Sequence, residues 1–204
     1  MSVPDLRLDY PATGRNRAPI FAVLQRVLPD GGGTLLELAS GSGQHGAWMV
    51  AQLPGWHWQP TDVQPEALDS IASWRRHAGV ERLLPPVRLD VRAESWPVER
   101  VQAVFCANMI HIAPWSCAEG LFAGVGRVLD PGGVLVLYGP FKVGGVHTAP
   151  SNAAFDASLR ARDPSWGVRD REAVEQLAGT VGLRLVEQVD MPANNQILVF
   201  QRGG

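Results

Sequence analysis

Cysteine is scarce. Cys106 and Cys117 are the only two among 204 residues. One lies in an apolar run and the other in a stretch of helical pattern, so a disulfide framework is excluded and reduced thiols are expected. No Cys-x-x-Cys pair and no His-Glu-x-x-His string occurs, so no metal is called for. Positive charge is not in excess either: 18 Lys and Arg stand against 20 Asp and Glu, a formal net charge of -2. Nucleic-acid binding draws on a basic footprint that releases counterions, so no nucleic-acid partner is expected. Long apolar runs are missing. None approaches the ~18 residues a membrane span needs, and residues 1–17 hold no apolar signal-peptide core. The expectation is a cytoplasmic chain with no membrane contact. No internal repeat or low-complexity tract is present.

What is there is an alternation of strand and helix patterns. Residues 1–17 are polar and marked by Pro and Gly, and read as an irregular arm or lid. Pro19 to Leu28 has apolar residues at helical spacing, with Pro19 suited to a first turn. Thr34–Ala39 reads as the first strand, Gln44–Leu53 as a helix and Trp56–Thr61 as a second strand reaching Asp62. A helix follows over Pro65–His77, then a short strand over Pro86–Leu89 ending at Asp90. Gln102–Ala107 is apolar throughout, as in a strand buried on both faces. Trp115–Leu129 reads as a helix stopped by Asp130-Pro131-Gly132-Gly133, and Val134–Tyr138 as a fifth strand. Phe141–Pro150 reads as a loop. Ser151 is expected to cap a helix over residues 152–162, and Asp170 another reaching Val181. Leu183–Val189 and Gln196–Gln201 are the last strands, joined by a four-residue turn that includes Asn194 and Asn195. This order predicts one α/β domain over residues 1–204: a Rossmann-like, mostly parallel sheet with helices on both faces and an antiparallel C-terminal edge.

The strongest chemical signal is the stretch from Glu37 through Gly41, Gly43 and His45 to Gly46. It follows a strand and opens a helix, the context of a nucleotide-binding turn. Glycines there permit a tight turn and close approach of a ligand to the backbone. Gly41, Gly43 and Gly46 also spell the string of nicotinamide enzymes. Glu37 weighs against that reading, because a pyrophosphate at a helix N-terminus has no use for a carboxylate beside it. A carboxylate suits S-adenosylmethionine, whose methionine end carries an ammonium and whose sulfur is cationic. Asp62 ends the second strand, where a carboxylate can accept both hydroxyls of a ribose. Asp90 ends the third, where it can accept from an adenine amine. Either acid has an alternative as a turn former or helix cap.

Longer stretches carry a resemblance. They include Arg15-Asn16-Arg17-Ala-Pro-Ile, Glu37 through His45, Trp58-Gln-Pro-Thr-Asp62 and Asn108-Met-Ile-His-Ile-Ala-Pro-Trp115. They continue with Tyr138-Gly-Pro-Phe, His147-Thr-Ala-Pro-Ser-Asn152, Phe155-Asp-Ala-Ser-Leu-Arg, Asp163 through Asp170 and Met191 through Asn195. Within the class I S-adenosylmethionine-dependent methyltransferases, the chain resembles the uncharacterised family typified by methyltransferase-like protein 26. The resemblance implies a seven-stranded sheet with the last strand antiparallel, and S-adenosylmethionine as cofactor. It supplies no acceptor.

Around that expected cofactor, Asn108 follows the fourth strand, where this class faces both the methionine end and the substrate. His111 has two readings: a general base, given an ordinary pKa of about 6.5, or a helix cap or core hydrogen-bonder. Arg15 and Asn16 are candidates for the methionine carboxylate, with a solvated arm as the alternative. Tyr10, Trp115, Tyr138, His147 and Trp166 are the substrate-side candidates. Core packing is the alternative for each Trp, and a solvated loop for His147. The expected activity is methyl transfer to a small molecule. The alternatives are a nicotinamide-dependent oxidoreductase and a non-catalytic module that binds S-adenosylmethionine or a partner.

Overall fold

A computed structural model describes residues 4–204. The first three residues of the expected arm lie outside the described residues. Residues 4–10 are irregular, and helix α1 then spans Pro11–Val27. The expected arm is therefore too long by seven residues. Pro11, not Pro19, occupies the first turn, where a missing N–H costs nothing. Pro19 lies inside the helix, and the burial of Ile20, Phe21, Val23 and Leu24 on the sheet overrides its local penalty.

The chain continues through β1 (Gly33–Leu38), α2 (Gln44–Met49), β2 (Trp56–Asp62), α3 (Pro65–Ala78), β3 (Val87–Arg88) and β4 (Val101–Ala107). Then come α4 (Trp115–Val128), β5 (Leu129–Gly139), β6 (Phe141–Val143), β7 (Val146–His147), α5 (Pro150–Arg162), β8 (Arg169–Asp170), α6 (Arg171–Gly179), β9 (Leu183–Met191) and β10 (Asn195–Arg202). The main sheet has seven strands in the order β3-β2-β1-β4-β5-β10-β9. All neighbouring pairs from β3 to β5 are parallel, and β10 runs antiparallel to both β5 and β9. The turn over Pro192–Asn194 places Ala193 and Asn194 in the left-handed region, as a tight reversal demands.

Two cores result from strict alternation along the strands. Leu36, Leu38, Val104, Cys106, Leu135 and Leu137 face α4 and α6. Leu35, Ala103, Phe105, Val134 and Val136 face α1 and α2. Both cysteines are free and buried.

The region read as a loop, Phe141–Pro150, contains a hairpin. Gly144 and Gly145 have φ of 57° and 77°, the paired positive values of a two-residue β-turn, between β6 and β7. β8 joins β6 to complete a small three-stranded sheet. Ser151 does not cap α5, whose N-cap is Ala149; its hydroxyl accepts from Asn194 Nδ2 at 3.0 Å. Asp170 does cap α6, accepting from the Glu172 N–H. Among the described residues no helix is long and apolar enough to cross a membrane.

Candidate functional site

The carboxyl ends of β1, β2, β3 and β4 open onto a cleft of about 590 Å³. Gly41, Asp62 and Asp90 all line it. The loop after β1 has φ of +56° at Gly41 and +85° at Gly43, while Ala39 holds +53° despite its methyl group. A β-carbon at Gly43 would stand 2.9 Å from Ile71 Cα, so this glycine lets α3 approach the loop. Gly46 serves packing: a β-carbon there would meet Trp58 Nε1 at 2.6 Å. The literal glycine string therefore divides into a ligand-facing residue, Gly41, and two packing residues. Ala39, which the string passes over, lines the cleft.

Asp62 is buried at the end of β2. Its carboxylate accepts from the Gly41 N–H at 2.9 Å and the Gln64 N–H at 3.0 Å. A carboxylate offers about four lone-pair positions, so two remain for a ligand. Asp90 is held by Arg92, whose guanidinium donates to both carboxylate oxygens at 2.7 and 3.0 Å and keeps the group below the usual carboxylate range. Val63, Leu89, Val91 and Met109 make an apolar slot between these acids.

The segment before α1 roofs this cleft. Leu6 N–H and Leu8 N–H donate to Ser73 Oγ and Ser70 Oγ, and Tyr10 N–H donates to Gln44 Oε1. Trp74 Nε1 donates to the Leu8 carbonyl. The Tyr10 ring comes within 3.5 Å of where a Gly41 β-carbon would be. Tyr10 thus stands on the Gly41 side, in a different cavity from Tyr138. Trp166 also lines this cleft.

Glu37 was expected at the ligand and is not in the cleft wall. It is 2% exposed, and its Oε2 accepts from Trp58 Nε1 at 2.9 Å. Burial pushes its carboxyl up to about 7, against hydrogen bonds from Trp58 and Ser40 that lower it. His45 lies beside it, Nδ1 3.7 Å from Glu37 Oε1, and is likewise buried away from the cleft. Burial first, and Arg17 second, push the imidazole down to about 4. The other ring nitrogen, Nε2, is 2.9 Å from Asn16 Oδ1. Buried Glu37 and His45 and half-buried Asn16 thus form a polar line.

That line ends at a second cavity of about 420 Å³. Arg15, Asn16, Asn108 and Tyr138 line it together with Asn152 and Asn195. Ala12, Arg15 and Asn16 reach it from one face of α1, at i, i+3 and i+4. Burial raises the Tyr138 phenol, and a hydrogen bond from Asn16 partly offsets this. Asn108, in the left-handed region at φ +61°, lines the second cavity, while its neighbours Ala107 and Met109 line the cleft. The turn at residue 108 thus contributes to the walls of both cavities. Arg15 and Asn16, expected near the methionine carboxylate, stand in this second cavity, apart from Gly41, Asp62 and Asp90. Asn152, Phe155 and Asn195 had not been singled out as site residues, because nothing local to α5 or the β9–β10 turn marks a cavity wall.

Three expected residues do not reach either cavity. His111 is fully buried at the end of the tight turn over Met109–His111. Its Nδ1 accepts from the Arg169 N–H at 3.2 Å, and its ring meets Phe141 edge-on at 4.9 Å. Burial pushes it down to about 3, so it is a neutral core histidine and not a base at the open face. His147 pairs with Asp156, Nε2 to Oδ2 at 3.3 Å, beside Lys142 and Arg160. Trp115 packs on the α4 core with the Arg169 guanidinium 5.6 Å from its ring centre.

The sheet order, the single antiparallel strand and the cleft at the carboxyl edge define a Rossmann-like fold of the class I methyltransferase type. The chain belongs to the family described as protein of unknown function DUF938, whose model matches residues 7–202. An O-methyltransferase family protein from Burkholderia thailandensis superposes with a TM-score of 0.81 at 16% identity, over 95% of this chain and 58% of that one. The SAH-bound calicheamicin-biosynthesis methyltransferase CalO1 gives 0.72 at 18%, over 91% of this chain and 54% of that one. A chain from the Haloferax volcanii complex of the Trm112 methyltransferase activator with a methyltransferase gives 0.74 at 14%, over 94% and 92%. This chain spans little more than half the length of the first two, and at such identities the likeness is one of fold.

Proposed function

We propose that this chain is an S-adenosylmethionine-dependent methyltransferase acting on a small molecule, with the cofactor in the larger cleft and the acceptor in the second cavity. The observation that carries the reading is the meeting of the Gly41 backbone and the Asp62 carboxylate in a roofed cleft that also holds an apolar slot. Asp62 keeps two lone-pair positions for ribose hydroxyls, Asp90 stands at the adenine end, and the slot takes the flat base. Bound there, S-adenosylmethionine supplies a methyl group already activated by a sulfonium.

The protein then has to orient the acceptor and exclude water. Leu8 and Tyr10 cover the cleft, and the turn at Asn108 contributes to the walls of both cavities. Among the described residues no Asp, Glu or His lines the second cavity. The site therefore offers no general base, and suits an acceptor atom with a lone pair available at attack. A nicotinamide dinucleotide fits poorly. Its pyrophosphate needs the first turn of α2, but Gln44, His45 and Gly46 are all buried there and none lines the cleft.

A thermal-shift titration separates the readings. S-adenosylhomocysteine at about 100 times its dissociation constant adds roughly 2.7 kcal/mol, a rise of about 5–11 °C for a chain of this size. Stabilisation by NAD and not by S-adenosylhomocysteine overturns the proposal. Firm binding with no turnover on any acceptor favours a non-catalytic module.

A further inference from the structure

We infer that the second cavity selects its acceptor by charge: the acceptor is a compact carboxylic acid that also carries a hydrogen-bond donor, and Arg15 holds its carboxylate. The inference rests on the methyltransferase reading and names the substrate class for it. The cavity, at about 420 Å³, suits a small molecule. Among the described residues Arg15 is the one full charge on its wall, with no acid beside it in the lining. Arg15 is exposed and makes no ion pair among the described residues, so no carboxylate of this chain occupies its guanidinium. An unpaired guanidinium presents a fork of donors matched to a carboxylate.

The groups beside Arg15 are donors as well. Asn16 accepts from His45 through Oδ1 and donates one amide N–H to the Tyr138 oxygen, which leaves its second N–H and the phenol O–H as donors. The opposite wall has the other polarity. Asn152 uses its amide N–H groups on Thr148 Oγ1 and the Asn194 carbonyl, and Asn195 uses its own on the Pro192 and Ala193 carbonyls. Each amide oxygen is left to accept. An anion on the α1 side and an O–H or N–H on the far side complete both walls. Asn108, whose chain neighbours Ala107 and Met109 line the cofactor cleft, belongs to the same cavity.

Isothermal titration tests this in two stages. Wild-type protein is first titrated with S-adenosylhomocysteine. Failure to bind there ends the methyltransferase reading, and this proposal with it. The S-adenosylhomocysteine-loaded protein is then titrated with pairs that share a body and differ in one group: para-hydroxybenzoate and para-hydroxybenzamide, salicylate and salicylamide, lactate and lactamide. At least one acid is expected to bind about tenfold or more tightly than its amide, the scale of a charge-assisted hydrogen bond. Arg15→Gln brings that ratio close to one, and Arg15→Lys keeps part of it. Binding by no acid, equal affinity within every pair, or an unchanged ratio in Arg15→Gln overturns the inference while leaving the cofactor reading intact. If Arg15→Gln weakens S-adenosylhomocysteine instead, Arg15 serves the cofactor's own carboxylate, and the inference is wrong.

Discussion

Replacing Asp62 separates two tasks held by one carboxylate. In the structure it accepts from the Gly41 and Gln64 N–H groups, so it holds the glycine loop before any ligand arrives. Hydrogen bonds to a charged acceptor contribute about 1.5–3 kcal/mol each, and the two together, partly relieved by water, about 3 kcal/mol. Asp62→Ala should therefore lower the melting temperature by roughly 6–12 °C. Loss of the bonds to ribose hydroxyls should separately weaken S-adenosylhomocysteine by about 10- to 150-fold. Asp62→Asn keeps one acceptor oxygen and puts an NH2 group where the second stood. It should lose about half as much stability as alanine, yet nearly as much affinity, because the ribose then faces a donor. Calorimetric melting and isothermal titration on the same preparations read the two effects. A folded Asp62→Ala protein that binds S-adenosylhomocysteine like wild type refutes the ribose assignment. If affinity tracks melting temperature across both variants, Asp62 acts only through the loop.

Other outcomes follow from the same geometry. Gly43→Ala forces a left-handed backbone at φ +85° and a contact 2.9 Å from Ile71 Cα, and should cost about 2–4 kcal/mol in urea unfolding. A change under about 0.5 kcal/mol would show that α3 yields freely. His111→Ala removes a buried ring packed on Phe141 and should destabilise by about 2–4 kcal/mol with S-adenosylhomocysteine affinity unchanged. Unaltered stability would contradict its core role. Tyr10→Ala uncovers Gly41 and should weaken S-adenosylhomocysteine about three- to tenfold at unchanged melting temperature, whereas full affinity would remove Tyr10 from the roof. For pH, Glu37 near 7 retains a proton in the folded state that it releases when unfolded above its ordinary value. His45 near 4 and His111 near 3 do the reverse, staying neutral when folded and charging when unfolded below about 6.5. Between about pH 4.5 and 6.5 the unfolded chain thus binds about one proton more, and stability should rise by about 1.4 kcal/mol per pH unit, then level off toward 7. Glu37→Gln should steepen that rise. A flat profile in urea unfolding would contradict the burial of these three groups.

The elements that the sequence determined are those written in near-neighbour chemistry. Short, near-continuous apolar runs at 35–38, 103–106 and 134–137 announce buried strands, Pro65 and Gly79 bracket α3, and Asp170 caps α6, because run length, turn geometry and capping depend on residues a few positions apart. The glycine loop and Asp62 were legible for the same reason, since each sits where a recognisable strand ends. α1 was misjudged at its start, because its stability comes from burial against the sheet and Pro19 is the stronger local signal. The β6–β7 hairpin carried its own mark, Gly144-Gly145, but strands this short fold only with β8, some twenty residues on. Tertiary structure alone decided which polar side chains face a cavity. Glu37 alternates into a core beside Trp58, His111 is buried against Phe141, and Arg15 shares a cavity with Asn152 and Asn195 only because α1, α5 and the β9–β10 turn all reach its wall. Those contacts join residues far apart in the chain. Whether a histidine or carboxylate meets solvent, ligand or packed carbon is set by what the distant elements leave open.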